Sequence, residues 1–164
     1  MQKVIFLILS ISSFYMLSGQ NTTANPISIK GDEFKGVIFP SDYKVGINLG
    51  AEYLDKRFTP IQQDIEIFEN AFIEHLNSPG NAFRVSNPKQ FIKRHKRQYL
   101  GYINNKGDSV ILTQFLDIGS FLSFKRRSHF SGWQSYFITC LNDFCYKYLR
   151  LYQFNLNTKK LEIA

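Results

Sequence analysis

Basic side chains crowd one short stretch of the chain: Lys89, Lys93, Arg94, His95, Lys96 and Arg97. A second group, Lys125, Arg126 and Arg127, follows, with His129 just beyond. Clustered cations of this kind can hold an acidic glycan, an anionic surface or an acidic protein. They can also stand as solvated charge guarding a sheet edge against unwanted pairing, and the sequence leaves both readings open. Nucleic acid suits the pattern less. It would require aromatic platforms beside the cations, and Tyr99, Tyr102 and Phe124 read equally well as core.

Other chemistry is sparse. The two cysteines are Cys140 and Cys145. A two-residue turn at Asn142-Asp143 would make Leu141 and Phe144 the closing pair. Cys140 and Cys145 would then face each other as a non-hydrogen-bonded pair, about 4.5 Å apart at Cα, which allows a cross-strand disulfide. Any slip in register would instead bury one thiol and expose the other. A nucleophilic cysteine needs a neighbouring base, and no histidine lies near either thiol in sequence. No His-x-x-x-His or Cys-x-x-Cys spacing marks a metal site. No phosphate-binding glycine loop or Gly-x-Ser-x-Gly elbow occurs. Asp64 and Glu69 could offer a carboxylate to a pocket, although the dipole of their helix explains both more simply. The reading therefore nominates no catalytic residue, no metal ligand and no cofactor.

These side chains must be positioned by a small core. The chain has 164 residues, enough for a single domain, and its composition is globular, with 44% hydrophobic and 20% charged residues. Aromatic residues reach 16%, which favours sheet surfaces, and the formal net charge is +7. Lys3 followed by the apolar run Val4 to Leu17 reads as a signal peptide over residues 1–20, with the cut between 18 and 24. That run is short for a bilayer span, which needs about 20 apolar residues. No later run is long enough either, so the mature chain is expected to lack a transmembrane span and to be periplasmic or extracellular. Residues 21–33 are polar and read as a flexible lead, leaving 34–164 as the folded domain.

Within that domain, Phe34 to Phe39 and the alternating Tyr43 to Leu49 suggest strands. A helix is expected from Pro60 to about Leu76, with Thr59 as N-cap and Gln62 completing a capping box. Ile61, Ile65, Phe68, Phe72 and Leu76 form its apolar stripe. Phe83 to Pro88 reads as loop. The clearest β signal is a hairpin, Gln98–Ile103 and Ser109–Leu116, joined by Asn104-Asn105-Lys106-Gly107-Asp108. Alternation carried back from it puts Lys93, His95 and Arg97 on one face of an extended lead-in. Further strands are expected over Gln134–Cys140, Cys145–Phe154 and Leu161–Ile163, with Trp133 opening the first. The expected fold is α+β: one main helix on a four- to five-stranded antiparallel sheet, in the order strand, helix, strands. Cystatin-like folds share that order, but the Gln-x-Val-x-Gly wedge of the cystatin inhibitors is missing.

The segment Arg97-Gln98-Tyr99-Leu100-Gly101-Tyr102-Ile103-Asn104, running into Lys106-Gly107, resembles one found in a group of small, uncharacterised exported bacterial proteins. Trp133 and Cys145-Tyr146 fit later landmarks of that group, whereas Asp143-Phe144 and Glu162-Ile163-Ala164 depart from it. The resemblance implies export and assigns no activity and no functional residue. The sequence thus points to an exported, non-enzymatic binding or interaction module. Its alternative is a small enzyme or ligand carrier with a pocket between helix and sheet.

Overall fold

The computed structural model describes residues 24–45, 55–78, 85, 87–118, 130–138 and 148–164. Seven strands and two helices appear among them, in the order β1 (Ile27–Lys30), β2 (Lys35–Phe39), β3 (Arg57–Phe58), α1 (Gln62–Asn77), α2 (Pro88–Arg94), β4 (His95–Ile103), β5 (Ser109–Asp117), β6 (Leu149–Asn155) and β7 (Leu161–Ile163). The α+β class is as expected. The sheet is larger and it is mixed: its order is β1-β2-β4-β5-β6-β7, and β3 pairs with β4 off that path. All pairs are antiparallel except β2 with β4, which run parallel from Gly36 opposite Arg97 to Phe39 opposite Leu100. This corrects the all-antiparallel, four- to five-stranded expectation. A parallel pair needs a long crossover connection, and β3 with the two helices lies between these strands.

The central hairpin forms where its turn residues place it. β4 and β5 pair from His95 opposite Asp117 to Ile103 opposite Ser109. The Asn104 side-chain oxygen accepts from the Lys106 and Asp108 N–H groups at 2.9 Å each, and Gly107 takes φ +84°. Nothing lies within 4 Å of a Cβ built at Gly107, so an L side chain there meets only backbone strain. Gly107→Ala should lower stability by about 1–2 kcal/mol, seen as a lower thermal midpoint, and Gly107→Asn by less.

The helix begins later than its sequence signals suggest. Its N-cap is Ile61, whose N–H donates to the Asp64 carboxylate at 3.0 Å. Thr59 is diverted, its hydroxyl oxygen accepting from the Ser41 N–H at 2.9 Å. Ile61, outside the helix, is 59% exposed and leaves the stripe, while Ile65, Phe68, Phe72 and Leu76 are buried. They pack on Tyr99, Ile111, Phe115, Tyr152 and Phe154 of the sheet. Phe72 lies 4.5 Å from Phe115 and 5.0 Å from Tyr152, centroid to centroid, and Phe68 lies 5.8 Å from Phe154. Rings fill the space between α1 and the sheet.

The other face is covered too. Phe137 packs on Val37, Phe39, Leu100, Tyr102, Val110 and Leu112, and Phe130 and Ile138 pack on Leu116 and Leu149. The segment 130–138 does this without being a strand, which corrects the expectation for Gln134–Ile138. The Gln98 side chain satisfies its backbone instead, donating to the Trp133 and Tyr136 carbonyls and accepting from the Ile138 N–H. Trp133 is therefore a half-buried cover residue in a turn rather than a strand opener.

Three further expectations are corrected. Ile27–Lys30, inside the polar lead, is an edge strand, because Ile29 can bury under the sheet rim. Tyr43–Val45 is not strand; Arg57 instead fastens this segment by donating to the carbonyls of Phe39, Pro40 and Tyr43. Asn87-Pro88 opens α2 where loop and extended lead-in were expected, with the Asn87 side chain accepting from the Gln90 N–H at 3.0 Å. The expected signal peptide, Lys125, Arg126, Arg127, Cys140 and Cys145 lie outside the described residues. Among the described residues no helix is long and apolar enough to cross a membrane.

Candidate functional site

Two inward-facing charges meet beneath the β1–β2 turn. Glu69 extends the α1 stripe, one turn after Ile65 and just before Phe72, and is 2% exposed. Arg97 shares the inward face of β4 with Tyr99 and is fully buried. Arg97 Nε and Nη2 donate to the two Glu69 oxygens at 3.0 and 3.1 Å. Its Nη1 donates to the carbonyls of Ile92 and His95, both at 2.8 Å. The Tyr99 hydroxyl donates to Glu69 Oε1 at 2.7 Å. The guanidinium carbon also lies 4.9 Å from the Phe115 ring centroid and 5.8 Å from that of Phe34. Burial pushes the Glu69 carboxyl above its ordinary range, against the pull of Arg97 and the Tyr99 hydroxyl. Burial likewise raises the Tyr99 phenol well above the usual tyrosine value. The cluster ties α1, α2 and β4 together.

The basic stretch is thus not one patch. Arg97 is withdrawn into the core. Arg94 ends α2 and grips Asp117 with two bonds of 2.5 and 2.7 Å. His95 is buried, its ring 3.9 Å from that of Phe91, with Nδ1 2.7 Å from the Phe91 carbonyl. Its neutral ring donates from Nδ1, and burial lowers its pKa to about 4. Lys93 is exposed at the end of α2, and Lys96 is half-buried on β4. Among the described cations singled out in sequence, Lys93 and Lys96 keep access to a partner, as does Lys89, exposed near the start of α2.

The fold supplies them with company. Lys30 ends β1 and Lys35 opens β2, and the two face each other across the strand pair. Lys30, Lys35, Lys93 and Lys96 line one cleft of about 260 Å³, whose remaining wall includes the Gly31–Phe34 turn. Asp32 and Glu33 share that turn, but among the described residues none of the four lysines is ion-paired with a carboxylate. Burial, then Lys35 and Arg97, lower the pKa of Lys96. The four lysines come from four different elements, and an ammonium on its flexible stem is a compact point charge suited to meeting an anion. Lys30 was missed in sequence because β1 lies in a segment read as a flexible lead, and Lys35, within a run read as strand, because nothing in the sequence marks Lys30 and Lys96 as its neighbours.

The other side of the same turn is a different environment. A cleft of about 490 Å³ there is lined by Lys30–Phe34 and by Gln62, Glu66, Glu69, Asn70 and Ile73 of α1. Gln62 Nε2 donates to Glu66 Oε1 at 2.8 Å. Phe34 lines both clefts. Its ring is edge-on to Tyr99, and it folds back over Gly31, where a Cβ would come within 2.2 Å of it. Among the described residues no cluster of histidine, cysteine or carboxylate side chains is arranged to hold a metal ion. No model of a known protein family matches the chain, and neither does any curated protein or solved structure.

Proposed function

We propose that the protein is an exported, non-enzymatic binding module that takes an acidic ligand or partner in the cleft ringed by Lys30, Lys35, Lys93 and Lys96. The observation that carries this reading is that one cleft is lined by these four lysines, from β1, β2, α2 and β4, none of them ion-paired among the described residues. Export rests on Lys3 and the apolar run Val4 to Leu17.

Binding should weaken steeply with salt, since exposed charges are screened over about 8–10 Å at 0.1–0.15 M. Each exposed ion contact is worth about 0.2–1 kcal/mol, so changing all four lysines to glutamine should weaken binding to a polyanionic resin on the order of tenfold. Lys160→Gln, in the exposed Lys160–Glu162 pair at β7, should leave binding unchanged. Elution from the resin over a salt gradient measures both. Equal elution of the two variants would remove the cleft from the function.

A further inference from the structure

We infer that the acidic ligand is a polysaccharide that crosses the Gly31–Phe34 turn, placing an anionic group among the lysines and a neutral sugar in the larger cleft. This rests on the lysine cleft being the binding site. The two clefts share the lining Lys30–Phe34, so a ligand chain that passes over this turn meets both. Their chemistries differ. The lysine side accepts negative charge. Lys30, Asp32 and Glu33 line both clefts; the lysine side adds Lys35, Lys93 and Lys96, whereas the α1 side adds Glu66 beside the amides of Gln62 and Asn70.

That second surface discriminates among polyanions. A polyphosphate, a nucleic acid or an acidic peptide carries charge along its whole length, and its next group would meet three carboxylates. Like charges brought together in a binding interface oppose association and select against such partners. A sugar presents hydroxyls, which donate to carboxylates and also accept from amide N–H groups. Glu66 already orients the Gln62 amide, and the Asn70 side chain is exposed without a hydrogen-bond partner among the described residues. Ile73, half-buried in the same wall, offers apolar surface for the ring carbons. The larger cleft alone falls within the ~300–1,000 Å³ range of small-ligand sites.

The test compares a tetrasaccharide with uronic acids at one end and neutral hexoses at the other with inorganic tripolyphosphate and a tetraglutamate peptide by isothermal titration on the full chain. The tetrasaccharide should bind at least fivefold tighter than either competitor. Gln62→Ala with Asn70→Ala should weaken the tetrasaccharide at least fivefold and leave tripolyphosphate unchanged. Both side chains are exposed, and an unaltered thermal midpoint will show that the double variant folds. Lys35→Gln with Lys96→Gln should weaken every anion. A tetrasaccharide that binds no tighter than tripolyphosphate, or is indifferent to the α1 changes, overturns the polysaccharide inference while the lysine cleft stands. Indifference of all three probes to the lysine changes overturns the cleft itself, and the inference with it.

Discussion

Glu69→Ala should lower the unfolding free energy by about 3–5 kcal/mol, the usual cost of removing one partner from a buried ion pair. The alanine leaves the Arg97 guanidinium at zero exposure without its counter-ion, and leaves the Tyr99 hydroxyl without its acceptor. The loss is electrostatic first and volumetric second. Glu69→Gln, which keeps an acceptor for Tyr99 and for Arg97 Nε, should cost visibly less than alanine. Glu69→Met combined with Arg97→Met removes both charges. It should be at least 2 kcal/mol more stable than the two single losses added together, because neither charge is then stranded. Recovery will be incomplete, since Arg97 also satisfies the Ile92 and His95 carbonyls. Urea unfolding of the parent, Glu69→Met, Arg97→Met and the double variant measures the cycle, and a Glu69→Ala cost under 1 kcal/mol would mean that water reaches this pair.

Acidification should destabilise the domain through His95. In the folded chain its pKa is lowered from 6.5 to about 4, chiefly by burial. The Phe91 carbonyl and Asp117 oppose the shift, and Arg97 and Arg94 add to it. The unfolded state therefore takes up the proton first. The stability contributed by the neutral, buried ring is complete above pH ~6.5 and is lost as pH falls from there toward 4. At ~1.36 kcal/mol per pH unit the loss approaches about 3 kcal/mol. Glu69 works in the opposite sense: its raised carboxyl favours the folded state as pH falls. The contribution of His95 is isolated by comparing the parent with His95→Asn in urea titrations between pH 7 and 4. The acid limb should flatten in the variant, and parallel limbs would assign acid sensitivity elsewhere.

Much of this frame was legible from periodicity alone. Ile65, Phe68, Phe72 and Leu76 recur at helical spacing, and the Asn104–Asp108 turn carries the residues its geometry demands. The α+β class follows from those two elements. The central ion pair was written in the same two periods but obscured by local composition. Glu69 stands four residues after Ile65 and three before Phe72, inside the stripe. Arg97 stands two before Tyr99, on its inward face. Read together, opposite charges on two buried faces imply a pair. Read separately, one looked like a helix-dipole acid and the other like one more cation in a basic run. The same run hid α2, although Asn87-Pro88 is an N-cap followed by the first-turn proline. The β2–β4 pairing was not legible, because no residue type marks which distant strand will lie alongside. The lysine cleft depends on that pairing and was hidden with it.

The parallel joining of β2 to β4 also bears on the order in which the molecule assembles. Contacts between neighbours in the chain close early, whereas those spanning long stretches of sequence wait on the loss of loop entropy. The β4–β5 hairpin is local. The seam from Gly36–Arg97 to Phe39–Leu100 closes only after β3, both helices and the chain connecting them have been gathered in. Lys30 and Lys35 reach Lys93 and Lys96 only across that seam, so a nascent chain can hold a finished hairpin before it has any grip on an anion.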